Sequence, residues 1–316
     1  MNTIKNIFFT VLFICFLAAS GYSQFARPND WKKVRKELFL GVGAAQFLGD
    51  LGGLNKTGTD FSPIDLEFSL TRPAITLGYR YKILKNLNWT NSFNYLVVAG
   101  NDKLTQDPYR NNRNLNFKSN IFELATRIEL SYMSSKKGHR YGIKKTLGRR
   151  SKGRTWELMG FVGIGVFYFN PKGLASNGEW VKLKPLHTEG QGLPNGPKQY
   201  SNYAISIPMG VAYRVIIKKA WSVGLEVNYR KTFTDYIDDV SNVYYDKAAL
   251  TNAYGPQSAQ MADPNLGLIP GATSPNADGT GAQRGDKEKD SYMGIQITIG
   301  KFFAPKRGKS RLRSKF

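Results

Sequence analysis

Residues 203–233 read YAISIPMGVAYRVIIKKAWSVGLEVNYRKTF, in which two arms of alternating residues flank a short polar turn. In the first arm, alternate positions from Ile205 to Ile217 are apolar, and small or polar residues lie between most of them. In the second arm, the same pattern runs from Trp221 to Tyr229. A period of two is that of a β-strand, and both arms exceed the roughly 9–11 residues with which a tilted strand crosses a bilayer. The stretch therefore predicts a β-hairpin of membrane-spanning length.

Alternation alone leaves two folds open. In a soluble sandwich the apolar face packs on a second sheet, whereas in a transmembrane barrel it faces lipid. Aromatic residues near the ends of the apolar rows, namely Tyr213, Trp221 and Tyr229, are typical of a membrane interface. The rest of the chain has to decide between the two folds.

The first residues, 1–23, predict a cleaved secretory signal peptide. Lys5 precedes an apolar run from Ile7 to Ala19, which is followed by small residues. Cys15 lies inside this run, so we do not expect a lipidation site, and the mature chain has no cysteine. No later apolar run reaches 18 residues, which excludes transmembrane helices. A secreted chain of this size without disulfides suits a closed sheet.

Eight segments share the alternation, and an even count of eight is the smallest barrel in common use. In the third segment, Asn91 interrupts the apolar row. We therefore predict an all-β fold, a closed antiparallel transmembrane β-barrel of eight strands over residues 37–303. The eight segments are Glu37–Phe47, Arg72–Ile83, Leu87–Ala99, Asn120–Met133, Trp156–Phe169, the two arms of residues 203–233, and Ser291–Phe303.

The connections between these segments alternate in length, except that residues 134–155 after the fourth strand are also long. Long ones follow the odd strands and include residues 234–290, while residues 84–86 and 218–220 are short turns. This alternation predicts long extracellular loops, periplasmic termini and a location in the outer membrane. Residues 246–290 are rich in Ala, Gly, Pro and Asn, and we expect a mobile surface loop that buries little.

The net charge of +22 is concentrated in a few segments. A cytosolic protein of this charge would suggest nucleic acid, but the signal peptide argues against a nucleic-acid partner. The predicted periplasmic loop 134–155 and the tail 304–316 contain no acidic residue, and the segment 24–36 near the mature start is also basic. The loop contributes nine basic residues: Lys136, Lys137, Arg140, Lys144, Lys145, Arg149, Arg150, Lys152 and Arg154.

Two interpretations of these basic segments remain open. They can be solvated charge runs, or they can form one docking rim. Concentrated positive charge attracts anions, so the rim would bind an acidic periplasmic protein, peptidoglycan carboxylates or lipid headgroups.

The opposite face of the strands also carries charge, and we place it in the lumen. An eight-stranded lumen is just wide enough for side chains, so we predict ion pairs that fill it and not an open pore. The residues are Arg80, Lys82, Glu123, Arg127, Glu129, Glu157, Arg214, Glu226 and Arg230.

Catalytic motifs are sparse. His139 lies in the basic loop and His187 has no recognisable nucleophile motif near it, so we expect no enzyme; a lipid-modifying enzyme that uses His187 remains a minor alternative. No Cys or His cluster has metal-ligand spacing, and we expect no cofactor.

An acidic group, Asp235, Asp238 and Asp239, lies where the seventh strand ends, with Asp50 and Asp246 at neighbouring strand or loop ends. Calcium binding, pairing with Arg or Lys, and capping of turns by Asp side chains are all open for this group.

Three stretches, GAAQFLGDLGG (43–53), TWELMGFVGIGVFYFNPKG (155–173) and GLEVNYRKTFTDYIDDVS (224–241), resemble the Bacteroidota outer-membrane barrel family of the PorG type, a component of the type IX secretion machinery. The resemblance implies an eight-stranded barrel that contacts periplasmic ring and lipoprotein subunits and fixes them to the outer membrane. It also implies a role in protein export or gliding. A small surface-binding or transport barrel that uses its extracellular loops is the alternative.

Overall fold

The computed structural model describes residues 35–51, 68–105, 107–135, 155–217, 220–273, 282–286 and 288–303. The strands are β1 (Lys36–Leu48), β2 (Arg72–Lys82), β3 (Leu87–Asn101), β4 (Asn116–Ser135), β5 (Thr155–Leu174), β6 (Trp180–Lys182), β7 (Tyr203–Ile217), β8 (Trp221–Thr232) and β9 (Ser291–Phe303). The α-helices are α1 (Pro108–Arg113), α2 (Lys247–Tyr254) and α3 (Pro256–Ala262).

Eight of these strands close into one antiparallel barrel. Each pairs with its neighbour in the order β1-β2-β3-β4-β5-β7-β8-β9, and β9 pairs with β1. The short β6 pairs only with the end of β5, where Gly173 is opposite Val181. The β5–β7 pairing is interrupted near Pro208, which has no N–H to donate. The predicted eight-stranded closed barrel is confirmed.

The predicted strand bounds agree with the structure to within about two residues, except in β4 and β5. These two strands continue past the apolar rows, with Lys118 opposite Lys172. The apolar alternation stops before the ladder does, because backbone pairing can continue where the outer face is polar. This is why the sequence predicted shorter strands.

The wall of the barrel has its apolar residues outside and its polar residues inside. In β2, Ile75 and Leu77 are 45% and 50% exposed, whereas Thr76 and Arg80 are 3% and 5% exposed. Rings gather near both ends of the apolar band, with Trp156 between Tyr132 and Tyr213 at one end. In a soluble sandwich the apolar residues would be buried and the polar ones exposed. The observed arrangement is that of a wall that faces hydrocarbon.

Three chain segments attach at one end of the barrel, here called the turn end. Lys36 is opposite Phe303, Ser135 is opposite Thr155, and Ile217 is opposite Trp221. The attached segments themselves lie outside the described residues. They are the predicted signal peptide 1–23, most of the segment 24–36, the nine basic residues from Lys136 to Arg154, and the tail 304–316.

At the other end, residues 49–51 and the described parts of residues 102–115, 175–202 and 234–290 form a folded cap. Asp246 caps the first turn of α2 by accepting from two backbone N–H groups, and Pro256 begins α3. Leu250 and Ala262 are buried between these helices. The prediction that residues 246–290 bury little is wrong for the described part. The prediction relied on the average composition of the segment. That average does not reveal the helix-start residues Asp246 and Pro256 or the few apolar positions that pack.

Among the described residues, no helix is both long enough and apolar enough to cross a membrane.

Candidate functional site

The lumen contains ten charged side chains among the described residues, five basic and five acidic, and all are buried. They belong to the inward rows of strands spread around the barrel, so alternation alone brings them together. Five are acidic, Glu37, Glu123, Glu129, Glu157 and Glu226, and five are basic, Arg80, Lys82, Arg127, Arg214 and Arg230. Opposite charges are equal in number, which allows each to be paired.

Most of these charges form one continuous network across the lumen. Arg80 bridges Glu37 at 2.7 Å and Glu129 at 2.5 Å. Arg127 lies 2.9 Å from Glu129 and donates two hydrogen bonds of 2.7 Å to Glu226. Two hydrogen bonds from one guanidinium group to one carboxylate give the fork geometry that makes arginine pairs strong and specific.

The same network continues toward the turn end. Arg214 pairs with both Glu37 and Glu157, and Lys82 reaches Glu157 at 3.0 Å. A separate pair, Arg230 and Glu123 at 2.7 Å, lies toward the cap. The structure thus places all nine lumen residues of the sequence prediction in ion pairs.

Glu37 was missing from the predicted set, although it accepts from two arginines. It is the second residue of β1 and belongs to the inward row with Phe39. The predicted first segment already begins at Glu37, so listing the charged residues of its inward row would have found it.

Aromatic rings fill the space beside the guanidinium groups. Arg80 lies 4.6 Å from the centre of the Phe39 ring, and Arg127 lies 4.1 Å from that of Phe161. Gly78 makes room here, because a Cβ at this position would collide with the ring of Phe39. Charges that are paired and flanked by rings leave the lumen filled with side chains.

On the cap side of the ion-pair network, a hydrophobic cluster joins the barrel to the cap. Phe47 and Phe117 are in edge contact at 4.7 Å between ring centres, and Phe167 belongs to the same cluster. Ile237 and Val240 of the cap pack into it and are fully or almost fully buried. The cap is therefore part of the core and closes the mouth of the barrel.

A buried arginine organises the polar part of the cap. Arg284 donates to Glu189 at 3.0 Å, to the carbonyl oxygen of Asp239 at 2.6 Å and to that of Ala262 at 3.1 Å. It is 1% exposed. Arg113 of α1 donates in turn to the carbonyl oxygen of Arg284 at 2.6 Å. Three separate loops are fixed through these two guanidinium groups.

The three predicted cap acids have different partners. Asp239 accepts from the hydroxyls of Tyr200 and Thr188, both at 2.6 Å. Asp238 accepts from the N–H of Val240 at 3.0 Å, which is an Asp-capped turn. Asp235 accepts from the hydroxyl of Ser241 at 2.6 Å. These contacts favour the turn-capping alternative for Asp238.

Four cap carboxyls lie close enough to repel one another. Burial, and next the charge of Asp286, raises the pKa of Asp50 to about 7. Burial, and next the charge of Asp290, holds the pKa of Asp238 well above its usual value. Burial also raises the pKa of Asp235 to about 6, and burial together with nearby acids raises that of Asp290 well above its usual value.

The positions of these acids in the described structure do not support the calcium alternative. Within the described ranges, no group of three or more His, Cys, Asp or Glu side chains is placed to hold a metal ion. Asp246 is exposed at the start of α2, whereas Asp235, Asp238 and Asp239 are buried.

The histidine of the enzyme alternative packs within the cap. The ring of His187 stacks on that of Tyr254 at 4.2 Å, and its Nδ1 lies 2.8 Å from the carbonyl oxygen of Gln191. The hydrogen-bond partners of the His187 ring in the described structure are this carbonyl and Gln199, and neither is a nucleophile. His139 lies outside the described residues.

No protein-family model matches the chain. No curated protein matches it either.

Solved structures do show similarity. One is Ail, the attachment invasion locus protein of Yersinia pestis, in complex with the heparin analogue sucrose octasulfate, with 9% identity, a TM-score of 0.34, and coverage of 85% of this chain and 99% of that chain. Another is Neisserial surface protein A, with 6% identity, a TM-score of 0.32, and coverage of 85% and 97%. At these TM-scores, fold and function have to be argued from the residues of the chain itself.

Proposed function

We propose that the protein is an outer-membrane barrel that serves as a sealed anchor and docks periplasmic subunits of a secretion machine at its turn end. The observation that carries the anchor role is the filled lumen, where five basic and five acidic side chains are buried and paired. A conducting barrel needs a continuous aqueous path. Here ion pairs and the cluster under the cap occupy that path.

The membrane location is supported by the outer wall. Leu40 of β1 and Ile297 of the adjacent β9 are each about half exposed, and so is Val162 of β5 on the far side of the barrel. Apolar surface on this scale is costly in water and favourable in hydrocarbon. Aromatic residues near the ends of the band fit the two interfaces.

The docking role is supported by the place where the basic segments attach. The N-terminal segment, residues 136–154 and the tail 304–316 all join the barrel at the turn end, so their points of attachment share one side. Positive charge concentrated in this way attracts an acidic partner and speeds its association. The resemblance to the type IX secretion family suggests ring and lipoprotein subunits as that partner.

A charge-removal experiment tests the docking role. The nine basic residues from Lys136 to Arg154 are replaced by Ser, and the barrel is recovered from crosslinked cells. We expect the loss of periplasmic subunits from the recovered complex. The matched control replaces Lys103, Lys182 and Lys198, which are exposed lysines at the cap end. This control should keep the periplasmic subunits. Equal recovery of the subunits with both variants would contradict the docking role.

A second candidate, a surface-binding barrel, is favoured by exposed apolar side chains at the cap end. Tyr109 and Leu268 are 68% and 65% exposed, and Trp180 is 47% exposed. Replacing these three by Ser leaves the packed cap intact and should abolish ligand capture if the cap is the binding surface. Loss of capture with normal secretion would favour this candidate over the anchor.

A further inference from the structure

A polar row crosses the outer wall of the barrel. Tyr79 of β2 is directly opposite Asn91 of β3, and Asn91 is directly opposite Thr126 of β4. All three belong to the outward rows of their strands. Apolar residues occupy the next row toward the cap, where Phe93 lies between Leu77 and Leu124.

Two side chains in this row have unused hydrogen-bonding capacity. Thr126 accepts from the indole N–H of Trp89 at 2.8 Å. For the side chains of Asn91 and Tyr79, the described part of the chain supplies no hydrogen-bond partner. An amide in hydrocarbon without a partner is unfavourable, so Asn91 at this outward position calls for a partner from outside the chain.

A groove of about 510 Å³ runs along the same row. Its walls are Leu38, Leu77, Phe93, Leu124, Ile164 and Val166, and Tyr79, Asn91 and Thr126 also line it. This volume lies within the roughly 300–1,000 Å³ range of small-molecule sites, and a mostly apolar lining with a few polar groups is typical of them.

The row also lies at a defined height. Trp89 and Tyr81, opposite each other, form the next row toward the turn end. Such rings favour the membrane interface, and Asn91 is two residues farther in, roughly 7 Å along the strand. The carbonyl groups that link lipid chains to the headgroup lie at the border between the interface and the hydrocarbon, within reach of Asn91.

We propose that the groove binds one diacyl lipid of the turn-end leaflet, with an acyl chain along the apolar walls and an ester carbonyl that accepts hydrogen bonds from Asn91 Nδ2 and the Tyr79 hydroxyl. The proposal rests on the proposed membrane location. A second copy of the chain would cover the apolar walls but would bring no ester carbonyl to Asn91 and Tyr79.

Native mass spectrometry of the detergent-solubilised barrel with added phosphatidylethanolamine tests this proposal. The wild type should retain one lipid per barrel. The double variant Asn91→Leu and Tyr79→Phe should bind it about tenfold more weakly. The matched control, Tyr213→Phe, removes a hydroxyl from the outward face of β7 and should bind like the wild type.

Two results would overturn the proposal. One is equal lipid retention by the wild type and the double variant. The other is a doubled mass that the double variant loses, which would identify a second copy as the occupant. Insertion into liposomes, measured in parallel, separates the membrane location from lipid binding in the groove. Failure of the wild type to insert would contradict the membrane location, whereas insertion without lipid retention would contradict the groove alone.

Discussion

The lumen and the cap both bury charge, but they stabilise it differently. In the lumen, cations and carboxylates face each other, as in the pairs of Arg127 with Glu226 and of Arg230 with Glu123. In the cap, Asp50, Asp238 and Asp290 lie near one another, and each accepts from a backbone N–H. These three cap acids are therefore stabilised by taking up a proton, whereas each lumen acid is stabilised by a basic partner.

This difference separates two kinds of sensitivity. Removing one member of a lumen pair leaves a buried charge without a counter-charge, which is strongly destabilising. Removing one carboxyl from the cap lowers repulsion among the remaining acids. The following predictions contrast the two regions.

The largest effect is expected for Arg127→Leu in the lumen. The change leaves Glu226 buried without a counter-charge and without the two hydrogen bonds from Arg127, and we expect the free energy of unfolding to fall by about 3–5 kcal/mol. Urea unfolding in lipid vesicles measures it. The double variant Arg127→Leu and Glu226→Leu removes both charges and should recover most of the loss. A single variant as stable as the wild type would contradict the importance of pairing.

A smaller and local effect is expected for Arg284→Met in the cap. Glu189 would keep the N–H groups of Ser241 and Asn242 as donors, so we expect a loss of about 1–3 kcal/mol. Hydrogen exchange should rise in residues 234–273 and stay unchanged in the barrel strands. Faster exchange throughout the barrel would show that the cap and the barrel do not behave as separable regions.

The stability of the cap should decrease with rising pH. Burial raises the pKa of Asp235 and Asp239 to about 6 and that of Asp50 to about 7 in the folded cap. Their contribution is greatest below about pH 4, the pKa of Asp in the unfolded chain, and is lost as pH rises through 6 to 7. Exchange rates corrected for intrinsic chemistry should show less protection at pH 8 than at pH 5. Equal protection at both would contradict this assignment.

The smallest effect is expected for Asp238→Asn. Asn keeps an oxygen that can accept from the N–H of Val240 and removes one buried charge. Cap protection should rise slightly at pH 8 and hardly change at pH 5. Asp246→Asn is the matched control, because Asp246 is exposed and Asn caps a helix about as well as Asp. A pH-independent change for Asp238→Asn would contradict the repulsion among the cap acids.

The sequence predicts the barrel better than it predicts the cap. The barrel follows from alternation, because a period of two fixes which face each residue takes; Arg80 and Glu129 could thus be placed in one lumen. Which carboxylate pairs with which arginine depends on the stagger of the strands. The sequence pattern does not encode that stagger, so the two bonds of Glu37 were not foreseen.

The cap was poorly predicted for a physical reason. Its interactions join residues far apart in sequence, as when Arg284 donates to Glu189 across 95 positions. Such contacts leave no periodic signal. Asp239 also adopts a positive φ of 68°, a backbone conformation that alternation cannot indicate. The basic residues from Lys136 to Arg154 lie outside the described residues, and their docking role stays a prediction.

Spin labelling of the outer wall tests the membrane location most directly. A single label at Val162→Cys, in a chain whose Cys15 is replaced by Ser, is compared with one at the exposed Lys198→Cys of the cap. In reconstituted vesicles, the label at 162 should collide with oxygen and not with a water-soluble nickel complex, and the label at 198 should collide with both. Free access of the nickel complex to the label at 162 would contradict a wall embedded in hydrocarbon.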